Sequence, residues 1–288
     1  MLPKRRYLPS EDEVIYHYCS VDSFLAICTS KRLRFSDLFT MNDFMEMRWG
    51  YHMWERAAGA VIGSGEVDKG LIDDIDAVIS DSTLRALPLA SCFSRDGDVL
   101  SQWRAYADDG AGYALGFKAS VIAAMAVHAL RVEYDPEQQM AEIKTLIHAI
   151  REVESAEQQP RSPDFVETCA RLTFDLAAFK NPAFSEEEEI RLIRLVNLEK
   201  SNAFLRLRDP GGTAPGPSAD PQPVAFHISK GIPVAHIDLD FTNGGTTAPL
   251  AEVMLGPRND ALWSGVLVLL ETLGLPGVKV RRSGASYR

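Results

Sequence analysis

The chain has 288 residues, of which 46% are hydrophobic and 24% are charged, a composition typical of a globular protein with a real core. No run approaches the ~20 consecutive apolar residues that a membrane helix needs, and no apolar stretch follows the basic start, so we expect no membrane contact, no secretory signal and a cytoplasmic location. A net charge of −10 disfavours a broad nucleic-acid-coating surface but allows a local site.

The four cysteines show no metal-binding or disulfide pattern. They contain no Cys-x-x-Cys pair, and no histidine is spaced as a zinc partner. We therefore expect neither structural zinc nor a disulfide framework.

The sequence of the N-terminal part predicts a strand, a turn and a helix. Residues 14–20 form a β-branched and aromatic run that ends at Ser20, a plausible helix N-cap. Apolar residues then recur at helical spacing up to Lys31, and residues 33–36 resemble a second short strand. Two further helices are predicted, one from about residue 44 and one over about 67–80.

The middle of the chain begins with strands and continues with helices. Strands are predicted at 88–94 and 113–117, on either side of a short helical or turn segment at 100–106 that carries Trp103 and Tyr106. Helices are predicted at about 119–130, 138–157 and 163–180. The span 119–180 therefore reads as a helical insertion on one side of a sheet.

The C-terminal part begins with a segment rich in proline and glycine. Eight of the fifteen residues in 209–223 are Pro or Gly, which predicts a mobile surface loop. The elements expected after it are strands at about 224–229, 233–241, 252–255 and 278–280, with a helix at about 259–273. Strands and helices in this irregular order indicate a single α+β domain over 1–288.

The acidic run at 186–189 is the strongest candidate for a catalytic site. If residues 187–193 form a strand, Glu187, Glu189 and Arg191 share one face. One carboxylate of such a pair can stabilise a cationic, sugar-like centre while the other orients an acceptor. Alternatively, Arg191 neutralises the pair and the group is a structural ion network. The residues alone leave both interpretations open.

A metal-dependent hydrolase is a further hypothesis. It would use His227, His236, Asp238 and Asp240, because the last three alternate on one strand face. Simple polar-outward alternation explains the same pattern, so we expect no metal.

Nine short blocks, in order along nearly the whole chain, resemble the bacterial family known as domain of unknown function 2971. They are Tyr16–Ser20, Lys31–Arg34, Asn42–Phe44, Cys92–Ser94, Trp103-x-x-Tyr106-Ala107-Asp108, Gly112–Phe117, Phe184–Arg191, Leu255–Pro257 and Ser286–Arg288.

A more distant resemblance concerns the aromatic-His-aromatic strand and the basic extended segment after it. This opening is similar to that of ADP-ribosyltransferases of the His-Tyr-Glu type, including DNA-modifying toxins. The resemblance implies a mixed or antiparallel sheet core of that type and NAD as the substrate. It places His17 on a ribose, with Tyr18 beside it, and Tyr106 or Trp103 against the nicotinamide.

The same resemblance assigns the remaining site residues. Ser94 would be a hydrogen-bonding residue on the middle strand, Glu189 would stabilise the oxocarbenium ion, and Glu187 would orient the acceptor. The implied function is an NAD-dependent ADP-ribosyltransferase or an NAD-cleaving toxin in bacterial defence, with a protein or nucleic acid as acceptor. The alternative is a non-enzymatic regulatory module on the same fold that binds a nucleotide or a partner.

Overall fold

The computed structural model describes residues 5–40, 46–82, 85–157, 159–212, 219–242 and 249–287 as a mixed α+β structure. The strands are β1 (Val14–Cys19), β2 (Arg32–Asp37), β3 (Ala86–Ser94), β4 (Tyr113–Lys118), β5 (His128–Arg131), β6 (Glu189–Lys200), β7 (Leu205–Arg208), β8 (Ala225–Ser229), β9 (Ile232–Asp240), β10 (Leu250–Leu255) and β11 (Lys279–Arg282). The α-helices are α1 (Val21–Ser30), α2 (Glu46–Gly63), α3 (Lys69–Ser82), α4 (Leu100–Tyr106), α5 (Ala119–Ala123), α6 (Pro136–Ala156), α7 (Pro163–Leu176) and α8 (Trp263–Thr272). The α+β class predicted from the sequence is confirmed.

The strands form one open, mostly antiparallel sheet. Its main path runs β11-β10-β4-β1-β3-β2-β9-β8, and β6 pairs with the whole length of β3 while also holding β5 and β7. Among the described strands, only β10 and β11 pair in parallel. Since β6 occupies one edge of β3, strands β1 and β2 must share the other edge.

Two hydrophobic cores stabilise the structure. The first packs helices α1, α5 and α8 against one face of the sheet, with Phe35, Phe93 and Phe117 almost fully buried. The second lies among α2, α3, α6 and α7, where Trp54 and Ile147 are buried. The helical layer is thus assembled from two separate stretches of chain, 46–82 and 136–176.

The structure corrects the helical insertion predicted at 119–180. Helix α5 ends at Ala123, and residues 128–131 form β5, which pairs with β6 from His128↔Ile193 to Arg131↔Ile190. The prediction of helix through residue 130 was wrong because four residues carry too little periodicity to reveal a strand whose partner, β6, lies far along the chain.

Several helices begin at chemically defined caps. The Ser20 hydroxyl accepts a hydrogen bond from the backbone of the first turn of α1, as the sequence predicts. Helices α6 and α7 begin at Pro136 and Pro163, where a missing N–H costs no hydrogen bond.

The Pro/Gly-rich segment at 209–223 is anchored at both of its described ends. The buried carboxylate of Asp209 pairs with Arg194 and also accepts backbone hydrogen bonds from Gly211 and Gln222. Residues 213–218 lie outside the described residues, so the mobility predicted for their part of the loop stays a prediction. Among the described helices, none combines the length and apolar character that a membrane span requires.

Candidate functional site

A cleft opens where β1 and β2 separate along the edge of β3. Strand β1 pairs with β3 at Tyr16↔Ser94, whereas β2 pairs at Ser36↔Ala90 and Asp37↔Leu89. Residues 91–93 of β3 lie between these two points. The cleft has a volume of about 380 Å³, which is within the range of small-molecule sites.

Most of the site residues predicted from the sequence line this cleft. They are His17, Tyr18, Ser94, Tyr106, Glu187 and Glu189. Trp103 does not line it. Side chains from other parts of the chain also line the cleft, namely Arg34, Ser36, Asp37, Ser91, Cys92, Gln102, Lys180, His227 and Ser229.

A hydrogen bond holds His17 in one tautomer where β1 and β2 separate. Its Nδ1 lies 2.9 Å from the carbonyl oxygen of Cys92. Because a carbonyl oxygen can only accept, Nδ1 carries the proton and Nε2 is left as an acceptor. Burial lowers the pKa of His17, although the hydrogen bond to Cys92 opposes this, so the ring is neutral at pH 7.

Glu187 and Glu189 come together, but not as a strand pair. Residues 182–187 form a short 3₁₀ turn, Glu188 adopts a left-handed conformation with φ 41°, and β6 begins only at Glu189. The prediction of a strand from residue 187 was therefore wrong. The turn nevertheless brings both carboxylates to the same ammonium group, that of Lys180.

We call Lys180, Glu187, Glu189 and Arg191 the carboxylate network. Arg191 donates from Nε to Glu189 Oε1 at 2.7 Å and from Nη2 to Oε2 at 3.1 Å. Lys180 Nζ donates to Glu189 Oε2 at 3.0 Å and to Glu187 Oε2. All four residues are at most 7% exposed. The structure therefore contains the ion network that the sequence left open as an alternative.

The network fixes the ionisation of Glu189. Burial raises the pKa of this carboxyl, but the nearby charges of Arg191 and Lys180 lower it by more, so its pKa lies well below the usual range. Glu189 is thus a carboxylate at any working pH, in a site nearly closed to water.

The two aromatic candidates lie in different surroundings. The Tyr106 ring lines the cleft, and its hydroxyl donates a long hydrogen bond of 3.4 Å to Glu187. The Trp103 ring is fully buried behind it, edge-on to Tyr18, with Nε1 donating to Asp98 at 2.8 Å. Of the pair named from the sequence, the geometry makes Tyr106 the residue that a ligand can touch.

Tyr18 and Ser94 line the cleft as buried residues, and their hydroxyl groups already form hydrogen bonds. The Tyr18 hydroxyl donates to the Asp96 carbonyl and accepts from the Val99 N–H. The Ser94 hydroxyl accepts from the Asp96 N–H at 3.1 Å. Both side chains therefore shape the loop at 95–99 as well as the cleft.

Asp37 and Ser91 are cleft residues that the sequence analysis missed. Burial raises the pKa of Asp37, while hydrogen bonds from the Phe39 backbone and Thr40 oppose the rise. Ser91 is 2% exposed, and its hydroxyl has no hydrogen-bond partner among the residues that the structure describes.

A second polar surface of the cleft comes from strands β2 and β8. We call Arg34, Ser36, His227 and Ser229 the histidine wall. Behind it, His236 on β9 lies with its Nδ1 3.2 Å from Nδ1 of His227.

The residues named in the metal hypothesis have other partners here. Asp238 holds Arg34 through two hydrogen bonds, and Asp240 accepts from Thr242. No group of three metal-ligating side chains is found within the described part of the chain.

The comparisons with known proteins give a match to a family model over part of the chain and no activity. No curated protein and no solved structure matches the chain. Residues 102–192 match the model of the family described as "Protein of unknown function (DUF2971)". This segment runs from α4 into β6 and includes Tyr106, Lys180 and both carboxylates. This match supports the resemblance to the DUF2971 family that the sequence blocks indicated.

Proposed function

We propose that the cleft between β1 and β2 binds NAD and that the protein cleaves the bond between nicotinamide and ribose. The ADP-ribosyl group then passes to an acceptor or to water, as in the ADP-ribosyltransferases that the first strand resembles. The observation that carries the proposal is that His17, Tyr106, Glu187 and Glu189, chosen from distant parts of the sequence, line a single cleft of about 380 Å³.

The chemistry required is stabilisation of a cation. As the C–N bond breaks, its electron pair goes to the nicotinamide nitrogen, which loses its positive charge, and the ribose becomes an oxocarbenium ion. Glu189 is suited to this ion because it is held as a carboxylate in a nearly water-free site. An acceptor O–H or N–H then attacks the ribose carbon, and its proton passes to Glu187.

The other cleft residues have positioning roles in this scheme. The unprotonated Nε2 of His17 accepts a hydrogen bond from a ribose hydroxyl, because the Cys92 carbonyl holds the proton on Nδ1. The Tyr106 ring offers a face to the nicotinamide. Lys180 keeps the two carboxylates together, which orients the acceptor relative to the developing cation.

One observation favours the alternative, a module that binds a nucleotide without turnover. Both oxygens of Glu189 already accept hydrogen bonds from cationic side chains. A carboxylate neutralised twice in this way stabilises a ribose cation less than a singly paired one would. Binding and turnover must therefore be measured separately.

The test is nicotinamide release from NAD together with NAD binding by calorimetry. For wild type we expect both, and for Glu189→Gln we expect release to fall by a factor of ~100 or more. The matched control is Glu186→Gln, which removes the same charge from an exposed position of the same acidic run. Because Glu189→Gln also disturbs a buried network, activity is compared below the melting temperatures of both variants.

The outcomes separate the two functions. Release that Glu189→Gln abolishes and Glu186→Gln preserves supports the enzyme. Binding of NAD without release by the wild type favours the binding module. A folded wild type that neither binds nor cleaves NAD overturns the proposal.

A further inference from the structure

The histidine wall lies across β3 from the carboxylate network and offers hydrogen-bond donors to the cleft. Strand register brings its residues together: Ser36 pairs with His236, and Arg34 pairs with Asp238, on adjacent strands β2 and β9. Strand β8 adds His227 and Ser229 on the same side of the sheet. Neither Ser36 nor Ser229 is fully buried, so both hydroxyls can exchange water for a ligand.

Arg34 is oriented but not saturated. Its Nε and Nη2 donate to the two oxygens of Asp238 at 2.9 and 3.0 Å, which fixes the guanidinium plane. Nη1 has no hydrogen-bond partner within the described residues. The side chain is 48% exposed, so this remaining edge is available to an anion.

The paired histidines can take up one proton without losing their contact. Nδ1 of His227 and Nδ1 of His236 share a single N–H···N hydrogen bond at 3.2 Å. A further proton on the outer nitrogen of the donor ring leaves that bond intact, whereas a second one would place two N–H groups face to face. The pair is therefore able to match one added negative charge.

The free cleft holds these rings neutral. Burial lowers the pKa of both histidines, the Arg34 guanidinium lowers it further, and the Asp238 carboxylate opposes the shift. The charged groups nearby supply no net positive charge, because Arg34 pairs with Asp238, and Lys180 and Arg191 with Glu187 and Glu189. The carboxyl group of Asp37 also lines the cleft, next to Ser36 on β2. Positive charge for an anion must therefore come partly from protonation of the pair.

We propose that the histidine wall is a binding subsite for the diphosphate of a nucleotide ligand. Arg34 donates to one phosphate, the serine hydroxyls complete its hydrogen bonds, and His227 donates to the other phosphate. The identification of that ligand as NAD rests on the proposed function, but the subsite itself requires no cleavage chemistry. The ribose nearest the scissile bond would then lie towards His17 and the carboxylate network.

Affinity is expected to depend on pH in a defined direction. A bound dianion favours the protonated histidine pair, so binding takes up a proton and tightens as the pH falls. ADP-ribose is a suitable probe because its diphosphate diester keeps the same charge between about pH 5 and pH 8. We expect its affinity to be up to ~10-fold greater at about pH 5.5 than at about pH 7.5.

The experiment is titration of the full chain with ADP-ribose, with adenosine as the probe that lacks the diphosphate. Arg34→Gln should weaken ADP-ribose binding by ~10- to 100-fold. The matched control is Arg32→Gln, which changes an exposed arginine two residues earlier on the same strand, outside the cleft. His227→Gln should remove the pH dependence, whereas the exposed His52→Gln on α2 should retain it.

Each outcome bears on one proposal. Equal affinities of Arg34→Gln and Arg32→Gln, or equal binding of adenosine and ADP-ribose, would overturn the subsite. So would a wild type that binds neither ADP-ribose nor inorganic pyrophosphate. If ADP-ribose binds as expected but NAD is not cleaved, the proposed enzymatic function fails while the diphosphate subsite stands.

Discussion

The two walls of the cleft differ in how completely the protein uses their polar atoms. In the carboxylate network, the oxygens of Glu189 are fully engaged and none of the four residues is more than 7% exposed. In the histidine wall, Arg34 is half exposed and retains donors without a partner among the described residues. The two walls nevertheless line the same space.

This difference follows from the cost of burying charge. A buried ion without its partner costs several kcal/mol, so the network must be complete in the folded protein before any ligand arrives. A half-exposed guanidinium is solvated, so it can keep free donors at little cost and exchange water for a ligand. On this account, the carboxylate network supplies fixed geometry and the histidine wall supplies affinity.

The largest expected effect comes from removing the lysine at the centre of the network. Lys180→Met removes an ammonium group that pairs with both Glu187 and Glu189. We expect the free energy of unfolding to fall by about 3–5 kcal/mol, the usual result of breaking a buried pair on one side. Urea denaturation measures it, with exposed Lys200→Met on β6 as the control. A loss no greater than that of the control would show that the network is not buried as described.

Smaller changes in stability and affinity should distinguish Trp103, which lies behind the cleft, from Tyr106, which lines it. Trp103→Phe removes the indole donor to Asp98 and leaves a small cavity, so we expect a loss of stability of about 1–3 kcal/mol. ADP-ribose and NAD affinity should change little. Tyr106→Ala, in contrast, should weaken NAD binding, because it removes the ring that lines the cleft. Tyr106→Phe keeps the ring and should keep most of the affinity. Weaker NAD binding in Trp103→Phe than in Tyr106→Ala would reverse the assignment.

The smallest expected effect is on the pH dependence of stability, because the two walls of the cleft lose their contributions to stability over different pH ranges. The pKa of Glu189 is lowered, so its contribution to stability is present above its ordinary pKa of 4.5 and is lost as the pH falls below that value. The pKa values of His17, His227 and His236 are lowered from 6.5, so their contributions are lost as the pH falls below 6.5.

Urea unfolding at a series of pH values measures both losses of stability, the one that begins near pH 6.5 and the one below about pH 4.5. Glu189→Gln should flatten the decline below about pH 4.5, and His17→Gln should flatten part of the decline that begins near pH 6.5. Glu186→Gln serves as the control for the loss of stability below about pH 4.5. An unchanged profile in Glu189→Gln would contradict the ion-paired state of this carboxylate.

How far the sequence could predict this molecule depends on how local each feature is. The strands at 14–19, 86–94 and 113–118 were predictable because β-branched and aromatic runs bounded by turn residues encode them directly. Strand β5 was not, since its four residues are a strand only because β6 pairs with them. The family resemblance then allowed His17 and Glu189 to be named together before their distance was known.

The carboxylate network shows the limit most clearly. Glu187 was placed beside Glu189 by the two-residue period of a strand, whereas a 3₁₀ turn and the left-handed Glu188 bring it there. Lys180 was missed because nothing around it in the sequence indicates that a lysine would be buried between two glutamates. His227 and His236 were named from the sequence only as metal ligands. Their position beside Arg34 and Ser36 was missed because it depends on the register of β2 against β9, which sequence pattern alone does not determine.

The most direct test of the central claim, that the cleft between β1 and β2 holds a nucleotide, is hydrogen–deuterium exchange with and without NAD. We expect protection in the segments that line the cleft, around residues 16–18, 34–37, 91–94 and 187–189, and no change in the helical core of α2, α3 and α6. Protection confined to the helical core, or none at all at saturating NAD, would contradict the account.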